Sequence, residues 1–178
     1  MTEPAARAPH LDCGPCLVRD WLMDDRAALP AIANNRAVWR NLAHLFPHPY
    51  DDADAEAWLN AVCAARSPTQ WAIEVGGRLA GGIGIDPGLG IFARSAQIGY
   101  WLGEAYWGRG IATAALRTVT AHIMPRLDLV RLEARVFAWN AASMRVLEKC
   151  GYEREGLLRR SVFKDGEVID SVLYARVV

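Results

Sequence analysis

The chain has 178 residues, 52% of them hydrophobic and 22% charged, enough for one globular domain with a sizeable core. Twenty Lys and Arg balance twenty Asp and Glu to a formal net charge of zero, and the basic residues gather only in pairs such as Arg159-Arg160. Such a balance argues against a nucleic-acid or anionic-membrane partner, and no apolar run approaches the roughly 20 residues of a bilayer span.

In chain order, Met1 to His10 carries Pro4, Arg7 and Pro9 and lacks the apolar centre of a secretory signal. It reads as a short disordered tail, residues 1–10, before a single domain at 11–178, with a cytoplasmic setting expected. Cys13-Gly14-Pro15-Cys16 has the spacing of a thioredoxin-like redox motif. That chemistry needs the first Cys at the end of a buried strand and the second in a helical first turn, where the helix N-terminus lowers the thiol pKa. Neither flank fits. Ala8 to Asp12 is no buried strand, and Leu17 to Trp21 alternates as a strand rather than a helix. A zinc site using His10 lacks a fourth ligand nearby, and no metal is expected. Cys63 and Cys150 fall in helical patterns and read as core or near-surface thiols.

Asp24-Asp25 stands where a helix N-cap would, and Leu29, Ile32, Ala33 and Val38 predict helix, in one or two pieces, to about Leu45. Phe46-Pro47-His48-Pro49-Tyr50 cannot continue it, because proline removes a backbone donor. Asp51-Asp52 caps a second helix with Ala55, Trp58, Leu59 and Val62 at helical spacing, ended by Ser67-Pro68. A hairpin follows, Gln70 to Val75 and Arg78 to Asp86 about Gly76-Gly77, then a loop at Pro87 to Gly90. Ala96 to Leu102 is a strand, Gly108 to about Met124 a helix stopped by Pro125, and Leu129 to Ala138 a strand. Asn140 opens a helix ending at Cys150-Gly151, with Gly151 beyond its C-cap. Tyr152 to Phe163 and Val168 to Val177 pair across Asp165-Gly166. The order β-α-α-β-β-β-α-β-α-β-β predicts an α+β (mixed α/β) fold. Its central twisted sheet is mostly antiparallel, with one parallel pair where strand, helix and strand alternate.

Trp107-Gly108-Arg109-Gly110-Ile111-Ala112-Thr113 joins a strand to a helix. Gly108 and Gly110 allow a tight turn, so the first helical N–H groups and the positive end of the helix dipole can meet an anion. The spacing fits neither a P-loop nor a dinucleotide fingerprint. Alone, the segment is as consistent with a glycine-rich turn that binds nothing.

Some 30 residues on come Arg131 to Ser143, with Asn140-Ala141-Ala142-Ser143, and then Leu147 to Tyr152. Together with Ile98-Gly99-Tyr100-Trp101-Leu102, these segments resemble the GNAT superfamily of N-acetyltransferases, especially the Rim-type branch that acetylates ribosomal-protein N-termini. The resemblance spans about Leu17 to Val177. It implies acetyl-coenzyme A as co-substrate and a primary amine, a protein N-terminus, as acceptor. It further implies that the strand ending near Leu102 splays from the strand ending near Ala138, with pantetheine along Tyr100, Trp101 and Leu102. Arg109, Gly110, Ile111 and Ala112 would cradle the pyrophosphate, with Trp107 and Gly108 completing the turn.

By the same resemblance Asn140 contacts the cofactor or the amine, though its position equally suits a helix N-cap. Ser143 protonates the departing thiolate, or is an ordinary first-turn serine. An N–H near Leu102 would hold the oxyanion. Two departures stand out: Leu147 occupies the place of a family tyrosine acid, and Gln97 that of a frequent glutamate. Glu74, Glu104 and Glu133 remain as base candidates beside the plainer reading of solvated carboxylates. The acceptor region falls on Asn41, His44, Phe46, His48 and Tyr50, with Asp170 and Tyr174 from the last hairpin. Two rival readings are acetylation of a small-molecule amine and an acyl-coenzyme A sensor without catalysis.

Overall fold

A computed structural model of the protein describes residues 10–65 and 69–178. The strands are β1 (Leu11–Asp12), β2 (Leu17–Arg19), β3 (Gln70–Val75), β4 (Arg78–Pro87), β5 (Ser95–Leu102), β6 (Arg131–Phe137), β7 (Glu153–Lys164) and β8 (Glu167–Val177). The helices are α1 (Leu29–Ala33), α2 (Arg36–Trp39), α3 (Asp52–Cys63), α4 (Ile111–Arg126) and α5 (Ala141–Lys149). The strands join one sheet in the order β1-β2-β3-β4-β5-β6-β8-β7, and β5 with β6 is its parallel pair. A parallel pair needs a crossover, and α4 supplies it. The expected mixed fold, mostly antiparallel with one parallel pair, is therefore the observed one.

The chain divides into two compact units. The first runs to Gly84 and includes Tyr100–Ala115; the second holds Ile85–Gly99 and Leu116–Val178. In the first, Trp21, Leu29, Ala33, Tyr50, Ala55, Leu59, Ala72 and Leu79 form a buried apolar cluster, with Phe46 and Trp101 packed partly buried against it. The same unit holds a charge network around the buried Arg19. The Arg19 guanidinium donates to both Asp25 carboxylate oxygens at 2.8 and 2.7 Å and to Glu74 Oε2 at 2.6 Å. These acceptors hold the Arg19 charge on, against the cost of burial. In the second unit Leu116, Val119, Leu132, Leu147 and Tyr174 are buried, and the Tyr152 and Thr120 hydroxyls share a 2.7 Å hydrogen bond.

Local signals dictate the element ends. The two predicted hairpin turns form with positive φ at Gly76 (56°), Gly77 (75°), Asp165 (55°) and Gly166 (81°), which matches the twist of the paired strands. Asp51 Oδ1 accepts from the N–H groups of Ala53 (2.9 Å) and Asp54 (3.0 Å), and Asp54 reciprocates to the Asp51 N–H. At the end of α5, Gly151 (φ 77°) donates to the Glu148 carbonyl and Tyr152 to that of Leu147, closing a Schellman motif.

Four readings change. The helix expected after Asp24-Asp25, in one or two pieces to about Leu45, comes in two short pieces, α1 and α2, that end at Trp39 and follow a 3-10 turn, Met23–Ala27. Asn35 interrupts it by capping α2, its Oδ1 accepting from the Ala37 and Val38 N–H groups. Leu22 rather than Asp24 or Asp25 takes the N-cap place of the 3-10 turn, because the Asp25 carboxylate is held by Arg19. Pro125 lies inside α4, not beyond it. Its ring removes one donor, but Leu127 still donates to the Ile123 carbonyl, so the last turn persists. The strand pair β1-β2 adds a small hairpin at the start. The predicted tail falls outside the described residues apart from His10, as does the stop at Ser67-Pro68.

Arg19→Ala should destabilise the protein by about 3–5 kcal/mol, because it leaves Asp25 buried without its cation. Urea unfolding followed by circular dichroism measures this; a loss under about 1 kcal/mol would show that the network is dispensable.

Candidate active site

The β5-β6 ladder has three rungs, Ser95↔Arg131, Ala96↔Leu132 and Gln97↔Glu133, although β5 continues to Leu102 and β6 to Phe137. Where that ladder stops, strand backbone has to find other partners, because buried peptide groups are costly to leave unpaired. At the far end of β5 the backbone is anchored on one side. The Gly103 N–H donates to the Ala80 carbonyl at 2.8 Å. Gly81 lets the strands come this close, since a Cβ there would meet the Trp101 carbonyl oxygen and lie 2.8 Å from Leu102 Cα. Sequence reading gave Gly81 no role, although the Gly81-Gly82 pair inside an apolar strand was a signal of close backbone approach.

A short 3-10 turn, Glu104–Tyr106, then leads to the glycine-rich turn. The Trp107 indole Nε1 donates to the Leu102 carbonyl at 2.8 Å, tying the turn to the end of β5. Gly108 (φ 71°) and Gly110 (φ 76°) both adopt the left-handed conformation, and a Cβ on either would find open space within 4 Å. Ala114 donates to the Gly110 carbonyl at 3.0 Å, which makes Gly110 the residue before the first turn of α4. The N–H groups of Ile111 and Ala112 thus lie where a helix has no acceptors of its own. Ile111 is buried and Ala112 is small and half-buried, whereas Arg109 is exposed with its guanidinium 5.7 Å from the Tyr106 ring centroid. Open space, backbone donors and a cation together suit a pyrophosphate.

The first unit also holds the predicted acceptor segment. The Phe46 ring lies 5.2 Å from both Tyr50 and Trp101, edge-on to the latter. His48 stacks on Trp39 at 5.3 Å, and the Asn41 Nδ2 donates to the Ala37 carbonyl at 2.9 Å. His44 is exposed. Tyr50 is a core residue, 5% exposed, and burial pushes its phenol up to about 12. Trp101 thus reaches from the predicted cofactor strand to the predicted acceptor loop.

Asn140 and Ser143 belong to the second unit. Asn140 is the N-cap of α5, its Oδ1 accepting from the Ser143 N–H at 3.1 Å. Its acceptor is engaged in the cap, so its amide N–H groups are what it offers a ligand. Ser143 is half-buried in the first turn.

Each base candidate is engaged. Glu74 holds Arg19, Glu104 accepts from the Asn35 Nδ2 at 2.6 Å, and Glu133 pairs with Arg131, which also holds Glu155 at 2.6 Å. The sequence suggested that Tyr174 faces the cleft and binds an ammonium, but its hydroxyl has another partner. It is buried and donates to Glu148 Oε1 at 2.8 Å. Asp170 is likewise occupied, its Oδ1 accepting the Arg160 N–H at 2.7 Å where β7 bulges.

In the first unit, then, the end of β5 is tied through Trp107 to a glycine-rich turn that opens the N-terminus of α4. A model described as Acetyltransferase (GNAT) domain matches residues 16–153. The chain belongs to this family. The Probable N-acetyltransferase YjcK of Bacillus subtilis is 45% identical over 73 residues, 41% of this chain and 40% of that protein. The Ribosomal-protein-serine acetyltransferase of Escherichia coli is 33% identical over 85 residues, 48% of each. The chain thus spans less than half the length of these curated relatives in the matched segments. Among solved structures, Mycobacterium smegmatis RimJ in complex with CoA-disulfide superposes with a TM-score of 0.82 at 30% identity, covering 93% of this chain and 83% of that one.

Gly110→Glu should weaken coenzyme A binding at least about tenfold, by placing a carboxylate at the diphosphate site. Titration calorimetry checks this; unchanged affinity with an intact fold would remove the turn from the site.

Proposed function

We propose that the chain moves the acetyl group of acetyl-coenzyme A directly to a primary amine, a protein N-terminal α-amine, and that residues 11–178 act as one acetyltransferase domain. The observation that carries the reading is the glycine-rich Trp107–Ala112 turn, tied by the Trp107 indole to the Leu102 carbonyl at the end of β5 and opening the N-terminus of α4. For the acceptor, support comes from the likeness to the ribosomal-protein-serine acetyltransferase and to RimJ.

In this reading the Tyr100–Leu102 backbone takes the pantetheine arm as an added strand, and Arg109 to Ala112 hold the diphosphate. Asn140 offers its amide N–H groups to pantetheine or to the incoming amine. The amine attacks the thioester carbonyl, and the N–H near Leu102 that stabilises the oxyanion is not that of Gly103, which is bonded to Ala80. An α-amino group has a pKa near 8, so part of it is neutral at pH 7, and water suffices to accept its proton. This fits a site whose three nominated carboxylates already hold other partners. Ser143 gives a proton to the leaving thiolate. Asn41, Phe46 and His48 line the acceptor side, and Tyr50 supports them from the core.

The test is release of coenzyme A thiol on incubation with acetyl-coenzyme A and either N-terminal peptides or small amines. Turnover should be greatest on peptides. Preference for free amino acids or other small amines would replace the acceptor, and binding without turnover would leave a sensor. Ser143→Ala should lower kcat about 10²-fold with little change in coenzyme A affinity. An unchanged kcat would return Ser143 to a purely structural place in α5.

A further inference from the structure

The acetyl-transfer reading above assigns Cys13-Gly14-Pro15-Cys16 no role, and the structure gives the motif a setting unlike the helical one the spacing suggests. The β1-β2 register pairs Leu11 with Val18 and Asp12 with Leu17, which puts Cys13 opposite Cys16. The Cys13 N–H donates to the Cys16 carbonyl at 2.9 Å, closing a two-residue turn. Gly14 takes φ 83° and Pro15 fixes the next residue, the pattern of a tight hairpin turn. The Gly14 N–H is also held by Asp12 Oδ1 at 2.8 Å. Opposed residues of a hydrogen-bonded antiparallel pair have Cα atoms about 5.5 Å apart, within the roughly 4.4–6.8 Å range that a disulfide bridges.

We propose that Cys13 and Cys16 are a reversible dithiol–disulfide pair, a modification site for low-molecular-weight disulfides such as oxidised glutathione. Exposure assigns the order of events. Cys13 is half-exposed and Cys16 is 6% exposed, with its Sγ 3.9 Å from the carbonyl of Ile111. The hydrogen bond to Cys13 and then burial raise the Cys16 thiol well above its ordinary value, so it is not the entering nucleophile. The Cys13 thiolate attacks one sulfur of the small disulfide, forming a mixed disulfide and releasing one thiol. The Cys16 sulfur, losing its proton to solvent, then attacks Cys13 Sγ and expels the second thiol. Two protein thiols are oxidised and one small disulfide is reduced to two thiols. Among the described residues no third Cys, His, Asp or Glu joins the pair to form a metal-binding group.

The test uses the full chain, reduced and then equilibrated in graded mixtures of reduced and oxidised glutathione. Differential alkylation and peptide mapping should recover a Cys13–Cys16 crosslink at a loss of two hydrogens, reversed by a dithiol reductant. A Cys16→Ser variant should instead hold glutathione stably on Cys13. A Cys13→Ser, Cys16→Ser variant should keep the acetyl-transfer rate of the reduced chain. Both cysteines remaining reduced in oxidised glutathione while Cys63 reacts would overturn the proposal, as would glutathione persisting on Cys13 of the unmodified sequence. These readouts are masses and alkylation patterns, so they stand whether or not the acetyl-transfer reading does.

Discussion

Backbone hydrogen bonding is the constraint from which the rest of the site follows. A strand inside a sheet must satisfy donors and acceptors on both edges, and β5 shares only three rungs with β6 before that ladder ends. The side toward β4 is held firmly, with Gly103 bonded to Ala80 and Gly81 allowing the strands to close up. In the proposed reading, the pantetheine arm of coenzyme A lies along this end of β5. The Trp107 indole extends the same logic, because it fixes where the glycine-rich turn begins relative to Leu102. Strand edge and helix N-terminus thus form one continuous piece of covalently short chain.

The acceptor side rests on packing rather than on the backbone. Phe46, Tyr50 and Trp101 form one aromatic group, so the residue that follows Tyr100 on the cofactor strand also supports the loop proposed to receive the amine. The carboxylates serve structure: Glu74 balances a buried arginine, Glu104 fixes Asn35, and Glu133 shares Arg131 with Glu155. An acceptor whose amine is partly neutral at physiological pH needs no strong base, and the two observations agree.

What could be read from sequence was whatever a few neighbouring residues decide. Gly76-Gly77, Asp165-Gly166, Asp51, Asn140 and Gly151 each set a turn or cap through contacts inside their own segment, and each stands where the pattern put it. The parallel pair followed from the order of elements alone. Partners far apart in sequence were hidden. Arg19 and Glu74 are separated by 55 positions, and Tyr174 and Glu148 by 26. Nothing local announced that these groups were engaged. That the helix before Leu45 comes in two pieces was among the readings, but where it breaks was not, since apolar spacing continues through Asn35 although its side chain caps a new helix there. The strand after the cysteines was legible from the alternation of Leu17 to Trp21; the short β1 whose register sets Cys13 opposite Cys16 was not.

The central claim is that one strand edge and one helix start hold coenzyme A. Amide hydrogen exchange with and without coenzyme A tests it most directly. The account predicts new protection concentrated at Ile98 to Leu102 and at Gly110 to Ala112, with little change in β7 and β8. Protection confined to other segments, or none at saturating coenzyme A, would contradict it.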